Sequence, residues 1–198
     1  MDHMNDADLR VAVIQQLDNL PMAEDSVLIE ELGLRHGAVR LDIAVVNGRL
    51  EGYELKSEQD SLRRLPRQAA TYGEVLDRMT LVAASKHLDA ARDLLPPWWG
   101  LVEACVVGGG VILTELREAR ENPNVEPAVL AKLLWRDEAL EALEKAGNAQ
   151  GLRSAKRSRI YARLTESLEL EALRSLVRDR LRRRLGWRPD GPRKLGGD

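Results

Sequence analysis

Two apolar runs of alternating character, Arg40 to Val46 and Leu50 to Lys56, flank the dipeptide Asn47-Gly48. A β-branched run that stops at Asn-Gly and resumes as a second alternating run is the strongest short-range hairpin signal a sequence offers. The hairpin places Asp42 on one strand and Glu54-Leu55-Lys56 on its neighbour. Residues two apart on a strand point to the same face, so the Glu54 carboxylate lies beside the Lys56 ammonium. Register decides whether Asp42 joins them. With a strict two-residue turn Asp42 would oppose Tyr53, and Glu54 would point to the other face, because a one-residue slip flips every side chain. Bringing the two acids together requires a three-residue loop, Asn47-Gly48-Arg49 with Gly48 left-handed, or a β-bulge in one strand.

Acid, acid and lysine in one place have a chemical logic of their own. Facing carboxylates repel, and a shared hard cation with a preference for oxygen ligands, Mg²⁺ or Mn²⁺, relieves the repulsion. A neighbouring lysine can orient or deprotonate a water whose pKa the metal lowers, while the metal polarises a phosphoryl oxygen. The set suits phosphodiester hydrolysis. The plain alternative is that Glu54 and Lys56 form the solvated face of an amphipathic strand.

Asp42, followed after eleven intervening residues by Glu54-Leu55-Lys56, resembles the PD-(D/E)XK nuclease superfamily, with Leu41 where that name has proline. Gln68-Ala-Ala-Thr-Tyr72 is similar to the Gln-x-x-x-Tyr element that follows the lysine strand in its RecB-like branches. Glu31 is similar to the additional upstream acid of many members, with Glu30 as the alternative. The likeness is greatest to small bacterial stand-alone proteins, and it covers roughly residues 5 to 105. It implies a restriction-endonuclease-like three-layer α/β core that cleaves DNA with a bound metal. Glu31, Asp42 and Glu54 would hold the metal and Lys56 would position the nucleophilic water. Gln68 and Tyr72 would orient Lys56 or a phosphate.

The rest of the chain supplies that core. Leu9, Val11, Val13, Ile14 and Leu17 pattern an opening helix, and Ser26 to Gly33 reads as a first strand. A helix is expected from about Ser61 to Met79, with Pro66 marking its true first turn or a kink. Arg63, Arg64 and Arg67 flank its start and could hold a phosphate backbone. Thr80 to Ser85 reads as a buried central strand. A helix from Leu88 to Leu95 stops at Pro96-Pro97, and a strand from Leu101 to Val107 ends at three glycines. The order gives an α/β fold with a mixed sheet. Trp98 and Trp99 are expected to close the edge of the core. From Pro127 the pattern is helical, over Ala128 to Lys145 and over Ser154 to Leu185 with a break near Thr165. The division is a nuclease-like core over 1–122 and a basic helical extension over 123–198 with a poorly ordered tail after Trp187.

No apolar run approaches the ~18 residues of a membrane span, and the acidic amino terminus does not read as a signal peptide, so a cytoplasmic protein is expected. Cys105, the single cysteine, is expected to be a buried inert thiol, and His3, His36 and His87 to lie on the surface. Residues 150 to 198 hold 14 Lys/Arg against 6 Asp/Glu, whereas the first 149 hold 16 against 26. A basic segment behind an acidic body indicates a nucleic-acid contact or an internal dock onto that body. Arg178, Arg182 and Arg183 are the candidates for the former, and a homodimer could form through these helices. The sequence thus points to a Mg²⁺- or Mn²⁺-dependent deoxyribonuclease acting on DNA. The alternative is a catalytically silent module of the same fold that binds nucleic acid or a protein partner.

Overall fold

The hairpin closes through three residues. Strand β2 (Val39–Val46) pairs with β3 (Leu50–Lys56) from Val46↔Leu50 to Ile43↔Tyr53, and Gly48 takes φ +96° at the tip. The Asn47 N–H donates to the Arg49 carbonyl at 3.1 Å. That register, carried one step further, sets Asp42 opposite Glu54. Because a side chain at this φ is strained while the glycine meets no neighbour, Gly48→Ala is expected to cost about 1–2 kcal/mol through the backbone alone. A lowered urea midpoint with an unchanged m-value would show it.

The computed structural model describes residues 4–21, 25–184 and 193–195. They form an α/β fold around a seven-stranded mixed sheet in the order β6-β5-β4-β3-β2-β1-β7. After helix α1 (Asp6–Asp18), strand β1 (Val27–Leu34) runs antiparallel to β2. From β3 the chain crosses through α2 (Leu65–Gly73) to β4 (Arg78–Ala84), and from there through α3 (Leu88–Leu94) to β5 (Gly100–Val107). Strands β3, β4 and β5 are mutually parallel, and β6 (Gly110–Arg117) returns antiparallel to β5. Helices α4 (Pro127–Leu130), α5 (Arg136–Lys145), α6 (Arg157–Ser167) and α7 (Leu170–Arg183) follow. A short β7 (Arg193–Lys194) then pairs with β1.

Alternation along the strands separates two buried layers. Leu28, Ile43, Val45 and Leu55 meet Leu9, Val13 and Leu17 of α1 on one face. Ile29, Ala44, Val46 and Leu50 meet Leu65 and Tyr72 of α2 on the other, and that cluster continues without a break into Leu130, Leu143, Ile160, Leu173 and Leu181. Trp98 and Trp99 are buried in it, as expected, with Trp99 stacked on Tyr72 at 6.2 Å between ring centroids.

Several expectations need correction. Helix α2 is shorter than Ser61 to Met79. Pro66 sits in its first turn after a 3₁₀ turn over Leu62–Arg64, and Asn122 Nδ2 caps its carboxyl end by donating to the Gly73 and Leu76 carbonyls at 2.7 Å each. The expected helix over Ala128 to Lys145 breaks at Leu134, whose backbone is extended, and α5 restarts with Glu138 accepting the Trp135 N–H at 2.6 Å. His87 is buried, its ring nitrogen 3.0 Å from the Ser57 carbonyl. Cys105 is only half-buried, because β5 nears the open edge of the sheet there. Strand β6 was not expected, although Val111-Ile112-Leu113-Thr114 is a β-branched apolar run bounded by the glycines. Arg193 and Lys194, expected in the tail, form β7, and the Leu195 N–H donates to the Ser26 carbonyl at 3.1 Å; His3, the His36 side chain and the rest of that tail lie outside the described residues. Among the described residues no helix is long and apolar enough to cross a membrane.

Candidate active site

Glu54 and Lys56 stand on β3 two residues apart, buried to 1% and 3% of their surfaces. Lys56 Nζ donates to Glu54 Oε1 at 2.6 Å. The other donors come from α2, where Gln68 and Tyr72 share a face one turn apart. Gln68 Nε2 donates to Glu54 Oε1 at 2.5 Å and Tyr72 OH lies 2.7 Å from Glu54 Oε2. The expected roles therefore shift in one respect: Gln68 and Tyr72 orient Glu54, and neither bonds Lys56. Tyr72 OH also lies 2.7 Å from the Arg40 carbonyl, which ties α2 to β2. Burial first, and then the Glu54 charge, push the Tyr72 phenol well above its ordinary value, so it stays a proton donor.

Across the hairpin, Asp42 Oδ2 accepts the Leu55 N–H at 2.8 Å. Its carboxyl is raised to about 7, mainly by burial and then by the Glu54 charge, against the opposing influence of the Leu55 N–H, Lys56 and Arg10. A carboxyl that ionises less readily folded than unfolded favours the folded state at low pH. Stability in chelator is expected to fall as pH rises from about 4 to about 7, and Asp42→Asn should flatten that slope in a series of thermal melts.

Strand β1 departs from regular geometry beside this pair. Its register with β2 runs to Glu30↔Ile43 and resumes at Leu32↔Leu41, leaving Glu31 and Asp42 out of the ladder, and Glu31 takes φ +53°. The left-handed region is uncommon for a residue with a Cβ, and it turns the Glu31 side chain toward the opening. The residue that sequence reasoning missed sits there. Arg10 of α1 donates to the Asp42 carbonyl and to Glu31 Oε1, each at 3.1 Å, and lies 3.6 Å from Asp42 Oδ1. No local spacing joins residue 10 to residue 42; only the packing of α1 on the sheet brings them together.

Arg10, Glu31, Asp42, Glu54 and Lys56 line one cavity of about 500 Å³ together with Arg40, Asp60, Arg64, Arg67 and Gln68, while Tyr72 lies behind it. Of the expected phosphate contacts, Arg64 and Arg67 reach its wall, and Arg63 is exposed outside it. The α7 arginines do not line it. Arg178 pairs with Asp77 and Glu171, Arg182 with Asp25 at 2.7 Å, and Arg183 with Asp179 at 3.0 Å. Through Arg178 and Arg182 the basic segment docks onto the acidic body, whereas Arg183 pairs within its own helix.

Among the described residues, no three Asp, Glu, His or Cys side chains converge as a ready metal-ligand set. Arg10 stands between Glu31 and Asp42, and both Glu54 oxygens already accept hydrogen bonds. The donor chemistry still fits a hard divalent cation. Asp42 and Glu54 are oxygen donors whose mutual repulsion Lys56 and Arg10 only partly offset, and Gln68 Oε1 is buried without a protein partner, an acceptor open to a bound water.

A model of the family described as bacteriophage P4 protein cII matches residues 1–190. Protein cII of Enterobacteria phage P4 is 25% identical over 144 residues, which are 73% of this chain and 54% of that protein, so the chain spans about half the length of this relative. No solved structure matches.

Proposed function

We propose that this chain, which belongs to the bacteriophage P4 protein cII family, is a metal-dependent nuclease that hydrolyses DNA phosphodiester bonds. The observation that carries the reading is the convergence of Asp42, Glu54 and Lys56 in one cavity, with Glu54 fixed by two donors from α2. Asp42 and Glu54 would hold Mg²⁺ or Mn²⁺, with Glu31 reaching it directly or through water. The ion would supply Lewis acidity at a phosphoryl oxygen and a water acidified toward neutral pH. Lys56 spends one N–H on Glu54, and its remaining donors are free to orient a water or a phosphoryl oxygen. Tyr72 and Gln68 hold the Glu54 carboxylate in one orientation, so no reorganisation is needed when charge develops. Arg64 and Arg67, at the cavity wall, provide the sequence-independent grip on the backbone.

A second reading is a silent module of the same fold that binds nucleic acid or a protein. It is favoured by the three hydrogen bonds that Glu54 already accepts and by the arginine lodged among the acids. Purified protein incubated with plasmid and with linear single- and double-stranded DNA, in Mg²⁺, Mn²⁺ or EDTA, separates the two. Metal-dependent cleavage that Glu54→Gln abolishes supports the nuclease. Intact DNA in every condition, from a folded protein, sinks it in favour of the module.

A further inference from the structure

Arg10 is seated among four carboxylates drawn from three elements. Its guanidinium lies 3.1 Å from Glu31 Oε1, 3.5 Å from Glu30 Oε2, 3.6 Å from Asp42 Oδ1 and 3.7 Å from Asp6 Oδ2. The side chain comes from α1, against the opposite face of the sheet from α2, and it reaches the acids at the point where β1 and β2 fail to pair. We propose that Arg10 is the resident counter-cation of this cluster and that a divalent ion at Asp42 and Glu54 displaces it. The second half of the proposal rests on the metal-dependent reading above.

Three observations carry it. First, the local backbone is built around the guanidinium: the Asp42 carbonyl accepts from Arg10, and Glu31 holds its left-handed conformation with its carboxylate on Arg10 and 3.9 Å from Arg40. Secondly, one guanidinium does not neutralise four acids. Arg10 is shared by Asp6, Glu30, Glu31 and Asp42, and Lys56 Nζ is bonded to a fifth carboxylate, Glu54, so the cluster retains affinity for further positive charge. Thirdly, Arg10 lines the same cavity as Asp42, Glu54 and Lys56, and this gives the long side chain a way out without disturbing α1. A divalent ion on Asp42 Oδ1 would lie beside an arginine nitrogen now 3.6 Å from that oxygen, and two cations at such a separation repel. The ion enters as the arginine leaves. Arg10 would thereby set the metal concentration at which the site becomes competent, keeping the acids apart from one another until then.

The test uses the full chain as it is, with Arg10→Ala and Arg10→Lys, and Arg163→Ala at an exposed position of α6 as a control. Thermal melts in EDTA and in Mn²⁺ are read beside calorimetric Mn²⁺ titrations. In EDTA, Arg10→Ala is expected to melt below the parent, because the acids repel without their partner. With Mn²⁺ it is expected to gain more than the parent, with a Kd about tenfold lower, since the ion no longer competes with a tethered cation. Arg10→Lys keeps the charge, loses the fork, and should fall between. If Arg10→Ala and Arg10→Lys both melt like the parent in EDTA, the counter-cation role is overturned. An equal or weaker Mn²⁺ affinity in Arg10→Ala overturns displacement while leaving the nuclease reading standing. A lowered melt with no Mn²⁺ binding by any variant overturns the metal reading and the displacement together, and leaves the counter-cation role.

Discussion

On the proposed nuclease reading, replacing Lys56 with methionine is expected to lower DNA cleavage by roughly 10²–10⁴-fold, the range that a positioned proton-transfer or water-orienting group contributes, while leaving DNA affinity close to that of the parent. The two effects separate because the buried ammonium sits at the base of the cavity, bonded to Glu54, whereas the cations at the wall, Arg64 and Arg67, are the ones a backbone phosphate meets first. An interaction realised only with the reacting phosphate shows in kcat and not in binding. Methionine is chosen over alanine because Lys56 is 3% exposed and a cavity would add its own cost. Loss of the ammonium also leaves Glu54 buried beside Asp42, and removing one partner of a buried pair costs about 3–5 kcal/mol when nothing else compensates. Tyr72 and Gln68 still reach Glu54, which moderates that cost, and Mn²⁺ should restore stability to the variant by more than it adds to the parent. The checks are a cleavage time course, fluorescence anisotropy with labelled DNA in chelator, and melts with and without Mn²⁺. Cleavage at the parental rate by the folded variant would remove Lys56 from the chemistry.

How much of this could be read from the sequence depends on the range of each interaction. The hairpin was legible because Asn47-Gly48 and the two flanking runs are local, and the need for either a three-residue loop or a bulge followed from asking which register unites Asp42 with Glu54. The loop has three residues. Gln68 and Tyr72 were legible as a pair because i and i+4 share a helix face, although their target, Glu54, required knowing how α2 lies against β3. Trp98 and Trp99 declared themselves by size. Arg10 did not, since its partners at Glu31 and Asp42 are brought within reach only by the tertiary packing of α1 and by a break in the β1–β2 ladder that no propensity encodes. Strand β6 alternates only weakly and is half-exposed at the sheet edge, so its pattern lacks the buried face that makes a strand legible. His87 shows the same limit from the other side: a lone histidine after a strand reads as surface until the Ser57 carbonyl is placed over it.

The charge asymmetry of the chain finds its physical reason at Asp77, and the second large effect is expected there. Asp77 is 4% exposed and joins three parts of the fold. Its Oδ2 accepts the Leu50 N–H at 2.8 Å, its own N–H donates to the Leu50 carbonyl at 2.9 Å, and its carbonyl accepts the Asn122 N–H at 2.8 Å. From α7, Arg174 and Arg178 approach its two oxygens at 3.1 and 3.5 Å. Asp77→Ala would orphan a strand N–H beside the hairpin and leave two largely buried guanidinium groups sharing the exposed Glu171 as their remaining carboxylate among the described residues. The expected cost is about 3–5 kcal/mol, as for other buried pairs broken from one side. Arg178→Met should cost less, because Arg174 and the Leu50 N–H continue to satisfy the carboxylate, and methionine retains apolar contact against the sheet. In a double-mutant cycle the Asp77–Arg178 coupling is expected at about 1–3 kcal/mol, measured by urea unfolding of the four proteins. An additive cycle, with each single variant near the parent, would show that α7 is held by Leu173, Val177 and Leu181 alone. Arg178 would then be free of this structural duty, which would return it to the nucleic-acid role that the clustering of arginines in the sequence first indicated.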